Sequence, residues 1–109
     1  MTRKIETQMI QSIIDNKDWK NSNTEVLTDC FVARIYLHGH LIAEYTYRGM
    51  KLEVNNCGYA TRTTKSRLNA LIKFVDGGLS GIYQRKGQWF LKTTSQNDVE
   101  INDNTWITI

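Results

Sequence analysis

The chain of 109 residues contains no proline. Average usage would place about five in this length. Their absence removes any PxxP ligand and any rigid linker. Tight turns then fall to Gly, Asn and Asp, available at Gly39, Gly49, Gly77, Gly78, Gly87, Asn55 and Asn56. Cysteine is almost as scarce. Cys30 and Cys57 are too few and too far apart for a disulfide scaffold or a CxxC zinc site. The expectation is a reduced protein with both thiols packed, no metal and no cofactor. Long apolar runs are missing too: none approaches the roughly 20 residues of a membrane span. The opening residues, Met1 to Glu6, lead into an amphipathic stretch and not an apolar h-region, so no signal peptide is expected. The length suits a single domain, 1–109.

What is present is charge, unevenly placed. The net charge is +3. Residues 59–92 hold seven Lys/Arg against one Asp/Glu, a local +6. Residues 93–109 hold three acids and no base. A bland solvated surface mixes its signs, so the basic third points to an anionic partner, with the acidic tail available to fold back on it. A net positive charge argues against an acidic DNA mimic.

Hydrophobic spacing divides the chain. Ile5, Met9, Ile10, Ile13 and Ile14 recur at three and four and predict a helix over 3–16 with Thr2 as its cap. Glu6 falls off that stripe. Residues 17–24 read as a polar loop anchored by Trp19. Between Cys30 and Val54 the period becomes two. A three-residue loop at His38-Gly39-His40 sets Ile35 opposite Ala43 and Arg34 opposite Glu44. A two-residue turn at Arg48-Gly49 sets Tyr45 opposite Leu52 and Ala43 opposite Val54. Both registers keep apolar faces together. A second helix is expected over 64–75 with Leu68, Leu71, Ile72 and Val75 inward, Lys65, Asn69 and Lys73 on the opposite side, and Gly77-Gly78 ending it. Strands follow at 79–84 and 88–92. A three-residue connector, Arg85-Lys86-Gly87, would set Tyr83 opposite Trp89. A last hairpin is placed around Asn102-Asp103-Asn104. The fold class is α+β: an antiparallel sheet of five to seven strands with two helices on one face, in the order α-βββ-α-ββ-β(β).

Residues 58–71 carry the most chemistry. Thr61, Thr63, Thr64 and Ser66 supply hydroxyls and Arg62, Lys65 and Arg67 supply cations, all at a helix start. A helix N-terminus attracts anions through its free N–H groups and its dipole. Acids normally occupy the first turn, where cations are unfavourable. Here no carboxylate occurs from Val54 to Val75. A bound phosphate would resolve the conflict, held by Thr61, Arg62, Thr63, Thr64, Lys65, Ser66 and Arg67. The alternative is that Thr63 or Thr64 merely caps the helix and the cations are solvated. No Walker loop is present.

The other candidates are simpler. Tyr59 precedes this helix in a loop and suits stacking. Trp89, paired with Tyr83 near Arg85 and Lys86, would make a second stacking platform for single-stranded nucleic acid, or simply stabilise its hairpin. His38 and His40 are weak catalytic candidates, read first as exposed hairpin-loop residues. No Ser/His/Asp or Cys/His arrangement is legible, so a binding protein is favoured over an enzyme.

Three functions remain. The first is a protein that binds a phosphate-bearing partner, nucleic acid or nucleotide. The second is a protein–protein inhibitor of a host defence or metabolic enzyme, using Val32, Tyr36 and Ile42 on an outer sheet face or the exposed side of the second helix. The third is a small metal-independent ribonuclease using His38 or His40 as base.

The run Thr-Thr-Lys-Ser-Arg-Leu-Asn-Ala-Leu at 63–71, preceded by Gly-Tyr-x-Thr, resembles a motif of small proteins encoded by tailed bacteriophages. The N-terminal Lys-Ile-Glu-Thr-Gln-Met-Ile, the Leu-His-Gly segment with Ile-Ala after it, and the late Gln-Arg-Lys and Trp-Phe fit the same pattern. Members read Leu-His-Gly-Asn and Gly-Trp where this chain has His40 and Tyr59, and an Asn at position 40 weakens a paired-histidine mechanism. The resemblance implies a phage source, a host-cytoplasm setting, and a role in host takeover or counter-defence. It carries no mechanism.

Overall fold

The computed structural model describes residues 3–93 and 97–109. Helix α1 spans Lys4–Ile14, with Arg3 in extended conformation at its N-cap and no side-chain cap. Thr2, expected as the cap, lies outside the described residues. The inward stripe is Glu6, Met9 and Ile13, at steps of three and four. Ile14, expected inside, is 56% exposed, being one residue and about 100° round the wheel from Ile13.

A hairpin follows where a polar loop was expected. Strands β1 (Trp19–Asn21) and β2 (Thr24–Thr28) pair antiparallel across a turn at Ser22-Asn23. Only Trp19 of β1 is even half-buried, so a three-residue edge strand leaves no hydrophobic alternation to read. The meander continues through β3 (Val32–Leu37), β4 (His40–Thr46) and β5 (Lys51–Val54). Arg34 faces Glu44, Ile35 faces Ala43, and Tyr45 faces Leu52, as the apolar alternation required.

One detail differs, and it shapes the site. The β3–β4 connection is a two-residue turn, His38-Gly39, with φ of 51° and 79°, and Leu37 pairs His40. The register then shifts between Ile35 and Tyr36, where β4 carries one extra residue. A two-residue turn plus one bulged residue counts the same as a three-residue loop, so the pairing beyond it is unchanged. The bulge breaks alternation along β4: Ile42 and Ala43 are both buried. Ile42, expected on the outer face, is 1% exposed.

Helix α2 runs Arg62–Asp76 and ends on Gly77 in the left-handed conformation (φ 75°). Leu68, Leu71 and Ile72 are buried, while Val75 is only partly covered. The Asp76 carboxylate accepts the N–H groups of Gly78, Leu79 and Ser80 and turns the chain into β6 (Gly81–Arg85). Strand β7 (Gln88–Lys92) follows a two-residue Lys86-Gly87 turn, since Arg85 pairs Gln88 inside the ladder. The expected three-residue connector was one residue too long, and the slip exchanges faces. Tyr83 therefore stacks on Phe90 at 5.5 Å, and Trp89 lies opposite Gln84.

Strands β8 (Val99–Ile101) and β9 (Ile107–Thr108) do not form a hairpin with each other. β8 pairs β7, and β9 pairs β5. Among the described residues the nine strands form two antiparallel sheets, β1-β2-β3-β4-β5-β9 and β6-β7-β8. The α+β class and the element order are as expected; the late strands form a second sheet. One core joins the helices and both sheets, including Met9, Ile35, Leu52, Leu71, Ile82 and Trp89. Asn69 on α2, expected in solvent, donates to the Ile82 carbonyl (2.9 Å) and accepts its N–H (2.7 Å), so an amide docks the second sheet.

Candidate functional site

The hydroxyl- and cation-rich start of α2 divides into two halves with different work. Thr61 is the N-cap, not Thr63 or Thr64. Its Oγ1 accepts the Thr64 N–H at 3.2 Å and lies 2.9 Å from Thr64 Oγ1. This is the ordinary reason for a hydroxyl at that position. Arg62 is exposed, and Thr63 and Lys65 are half-buried. Neither Arg62 nor Lys65 has an ion pair among the described residues.

The other half is built into the core. Arg67 is 4% exposed and donates from Nη1 to Glu6 Oε2 at 2.7 Å and from Nε to Thr24 Oγ1 at 3.0 Å. Ser66 donates to the same Glu6 oxygen at 2.6 Å. The carboxylate missing from residues 54–75 is thus supplied by α1, 61 positions before Arg67. A buried cation needs such a partner, because desolvation otherwise leaves it uncompensated. Arg67 and Ser66 therefore leave the expected anion-binding set for a structural reason.

Beside the first turn of α2 lies a cavity of about 300 Å³. Leu37 and Ile42 form its apolar wall, and Asn56, Tyr59, Thr61 and Thr64 line the side toward α2. His38 and His40 complete it. The histidine pair, read from sequence as exposed hairpin-loop residues, meets Tyr59 and the threonines at one place. The β4 bulge explains how His40 and Ile42 reach it. His40 pairs with inward-facing Leu37 and shares its face, and Ile42 follows two residues on. Strict alternation from Ala43 would have turned both to the outer face.

The loop between β5 and α2 is held by its own side chains. Asn55 accepts the Cys57 N–H at 2.8 Å, and Asn56 accepts the Gly58 N–H at 2.8 Å. Cys57 and Gly58 sit at φ of 56° and 81°. Asn56 was missed as a site residue. It is 2% exposed, donates to Asp103 (3.1 Å) and accepts the Asn104 N–H (2.9 Å), tying the C-terminal loop to the cavity. Its only sequence signal was membership of an Asn-Asn turn pair. The Cys57 thiol donates to the Leu41 carbonyl at 2.9 Å, and burial pushes its pKa up, as for a packed thiol. Cys30, by contrast, is exposed.

Tyr59 is 52% exposed, and its ring packs on His40 with centroids 4.7 Å apart and planes 32° apart. The second stacking candidate fails on position. Trp89 is 2% exposed within the core, and its indole N–H has no partner among the described residues. The acidic tail returns toward the basic region through neutral contacts, Tyr83 to Asp98 at 2.6 Å and Asn56 to Asp103. No ion pair among the described residues joins that tail to the cations of the basic region. No group of three potential metal ligands occurs among the described residues, and no helix is long and apolar enough to cross a membrane.

These features define a small α+β protein whose two helices cover a six-stranded antiparallel sheet, with one half-enclosed cavity where a helix begins. A family model for the Kyanoviridae Gp96 protein matches residues 2–108, and the chain belongs to this phage protein family. No curated protein and no solved structure matches it.

Proposed function

We propose that this phage protein acts in host takeover or counter-defence, in the host cytoplasm, by binding a phosphate-bearing partner at the start of α2. The observation that carries this reading is the cavity itself, lined by Thr61 and Thr64 at the α2 start, where Arg62 and Lys65 have no ion pair among the described residues. The Arg62 and Thr63 backbone N–H groups have no protein acceptor among the described residues, as expected for the first turn of a helix. The binding set is accordingly narrower than the sequence run: Thr61, Arg62, Thr63 and Lys65 around the anion, with Thr64 behind them and Tyr59 at the edge. Arg67 and Ser66 support the helix and do not contact the ligand.

A thermal-shift series at low salt tests the reading, using nucleotides, single- and double-stranded DNA, and RNA. A ligand at 100 times its Kd adds about 2.7 kcal/mol to the stability of the folded state. The Arg62→Ala/Lys65→Ala double variant should keep the melting temperature of the free protein and lose most of the shift. An equal shift in that variant would remove the site from consideration.

A further inference from the structure

We infer that the ligand of this cavity is a free mononucleotide, whose base enters the cavity while its phosphate rests at the start of α2. The inference rests on the phosphate-binding reading above and adds the class of ligand.

The number of cations sets an upper limit on the ligand. The sequence offers three positive charges in the first turns of α2, but Glu6 consumes one of them. Arg62 and Lys65 remain, enough for one phosphate group and too few to track an extended backbone, which needs a continuous basic groove. The other platform that a strand would use is closed. Trp89 is buried, and Tyr83 is stacked on Phe90 and bonded to Asp98. What remains is one local site, of a size suited to a small ligand.

The cavity has the chemistry of a base pocket. Its volume, about 300 Å³, falls at the lower end of small-molecule sites, which are mostly apolar with a few convergent polar groups. Leu37 and Ile42 give a flat apolar wall. His40 and Tyr59 give π-faces that a heterocycle can stack on. The Thr61 and Thr64 hydroxyls share one hydrogen bond between them, so one of the two O–H groups keeps its proton for a ligand acceptor. Thr64 is 1% exposed, so its hydroxyl is desolvated, while Thr61 is exposed. The bulge in β4 matters here as well. It is the irregularity that brings both His40 and Ile42 to this face, as bulges beside binding sites commonly do.

The test is titration calorimetry on the intact protein at low salt with four probes: ribose 5-phosphate, nucleosides, purine and pyrimidine nucleoside monophosphates, and short single-stranded oligonucleotides. At least one monophosphate should bind about tenfold or more tighter than ribose 5-phosphate, the gain expected from stacking one base. Tyr59→Ala should bring the affinity ratio of that monophosphate to ribose 5-phosphate down toward one; Tyr59 is half-exposed, so the fold tolerates the change. Equal binding of ribose 5-phosphate and every monophosphate would overturn the inference and leave the phosphate site standing. Binding of oligonucleotides without monophosphates would overturn it in favour of nucleic acid. Binding of none of the probes would overturn both.

Discussion

Arg67 shows how far a residue's meaning depends on a partner that sequence cannot supply. Read along the chain it is one of three cations without a carboxylate nearby. In the fold it is the buried end of an ion pair that joins α2 to α1 and, through Thr24, to β2. Breaking a buried pair from one side costs about 3–5 kcal/mol, because the remaining charge is left unpaired. Arg67→Ala or Glu6→Leu should lower stability by that order in a urea titration, and the double change should cost less than the sum. Thr61 is a milder case. Thr61→Ala should cost about 1 kcal/mol of cap energy, and Thr61→Ser should restore it, also by urea titration. The exposed residues of the segment, Arg62 and Tyr59, kept the positions their polarity suggested. Buried Arg67 and half-buried Ser66 turn inward to Glu6 instead, because their partner comes from an element far away in sequence.

Among the elements, both helices, the meander and the β6–β7 pair were legible, because apolar residues at fixed periods determine them. Their ends and faces were less so. The β4 bulge and the Lys86-Gly87 turn both depend on whether one residue lies inside or outside a ladder, and side-chain alternation is indifferent to that choice at a hairpin tip. The β1–β2 hairpin was missed for another reason: β1 is a three-residue edge strand held by backbone pairing. The last strand was expected as one arm of a terminal hairpin, but β9 pairs β5 instead. The turn into β3 gives a measurable consequence. The Asp29 carboxylate accepts the backbone N–H groups of Phe31 and Val32, with Arg34 beside it, and these hold its pKa below the ordinary 3.8. A carboxyl lowered in the folded state stabilises the fold above its unfolded pKa, and the contribution is lost as pH falls through the folded value. NMR titration of the Asp29 carboxyl should show its midpoint below 3.8. A midpoint at or above that value would mean the turn is not closed in solution.

For the whole molecule, the uneven charge remains the feature with most functional content, but its scale has changed. The +6 of residues 59–92 is dispersed by the fold: Arg67 is neutralised inside, while Arg85 and Lys86 flank the hairpin turn of the second sheet. Arg62 and Lys65 have no ion pair among the described residues and lie next in sequence to Thr61 and Thr64, which line the cavity. Ligand affinity should therefore fall with salt, but with the shallow slope of about two contacts and not the steep one of a nucleic-acid groove. Measuring the dissociation constant between 50 and 200 mM salt checks this. A slope equivalent to six or more contacts would favour an extended polyanion.

The central claim, that the cavity at the start of α2 is the ligand site, is tested most directly by following backbone amide resonances while a nucleoside monophosphate is titrated in. The account predicts shifts concentrated at His40, Tyr59, Thr61, Arg62 and Thr63, with the Arg85–Gly87 turn unmoved. Saturable shifts centred on that turn, or no shifts at millimolar nucleotide, would contradict it.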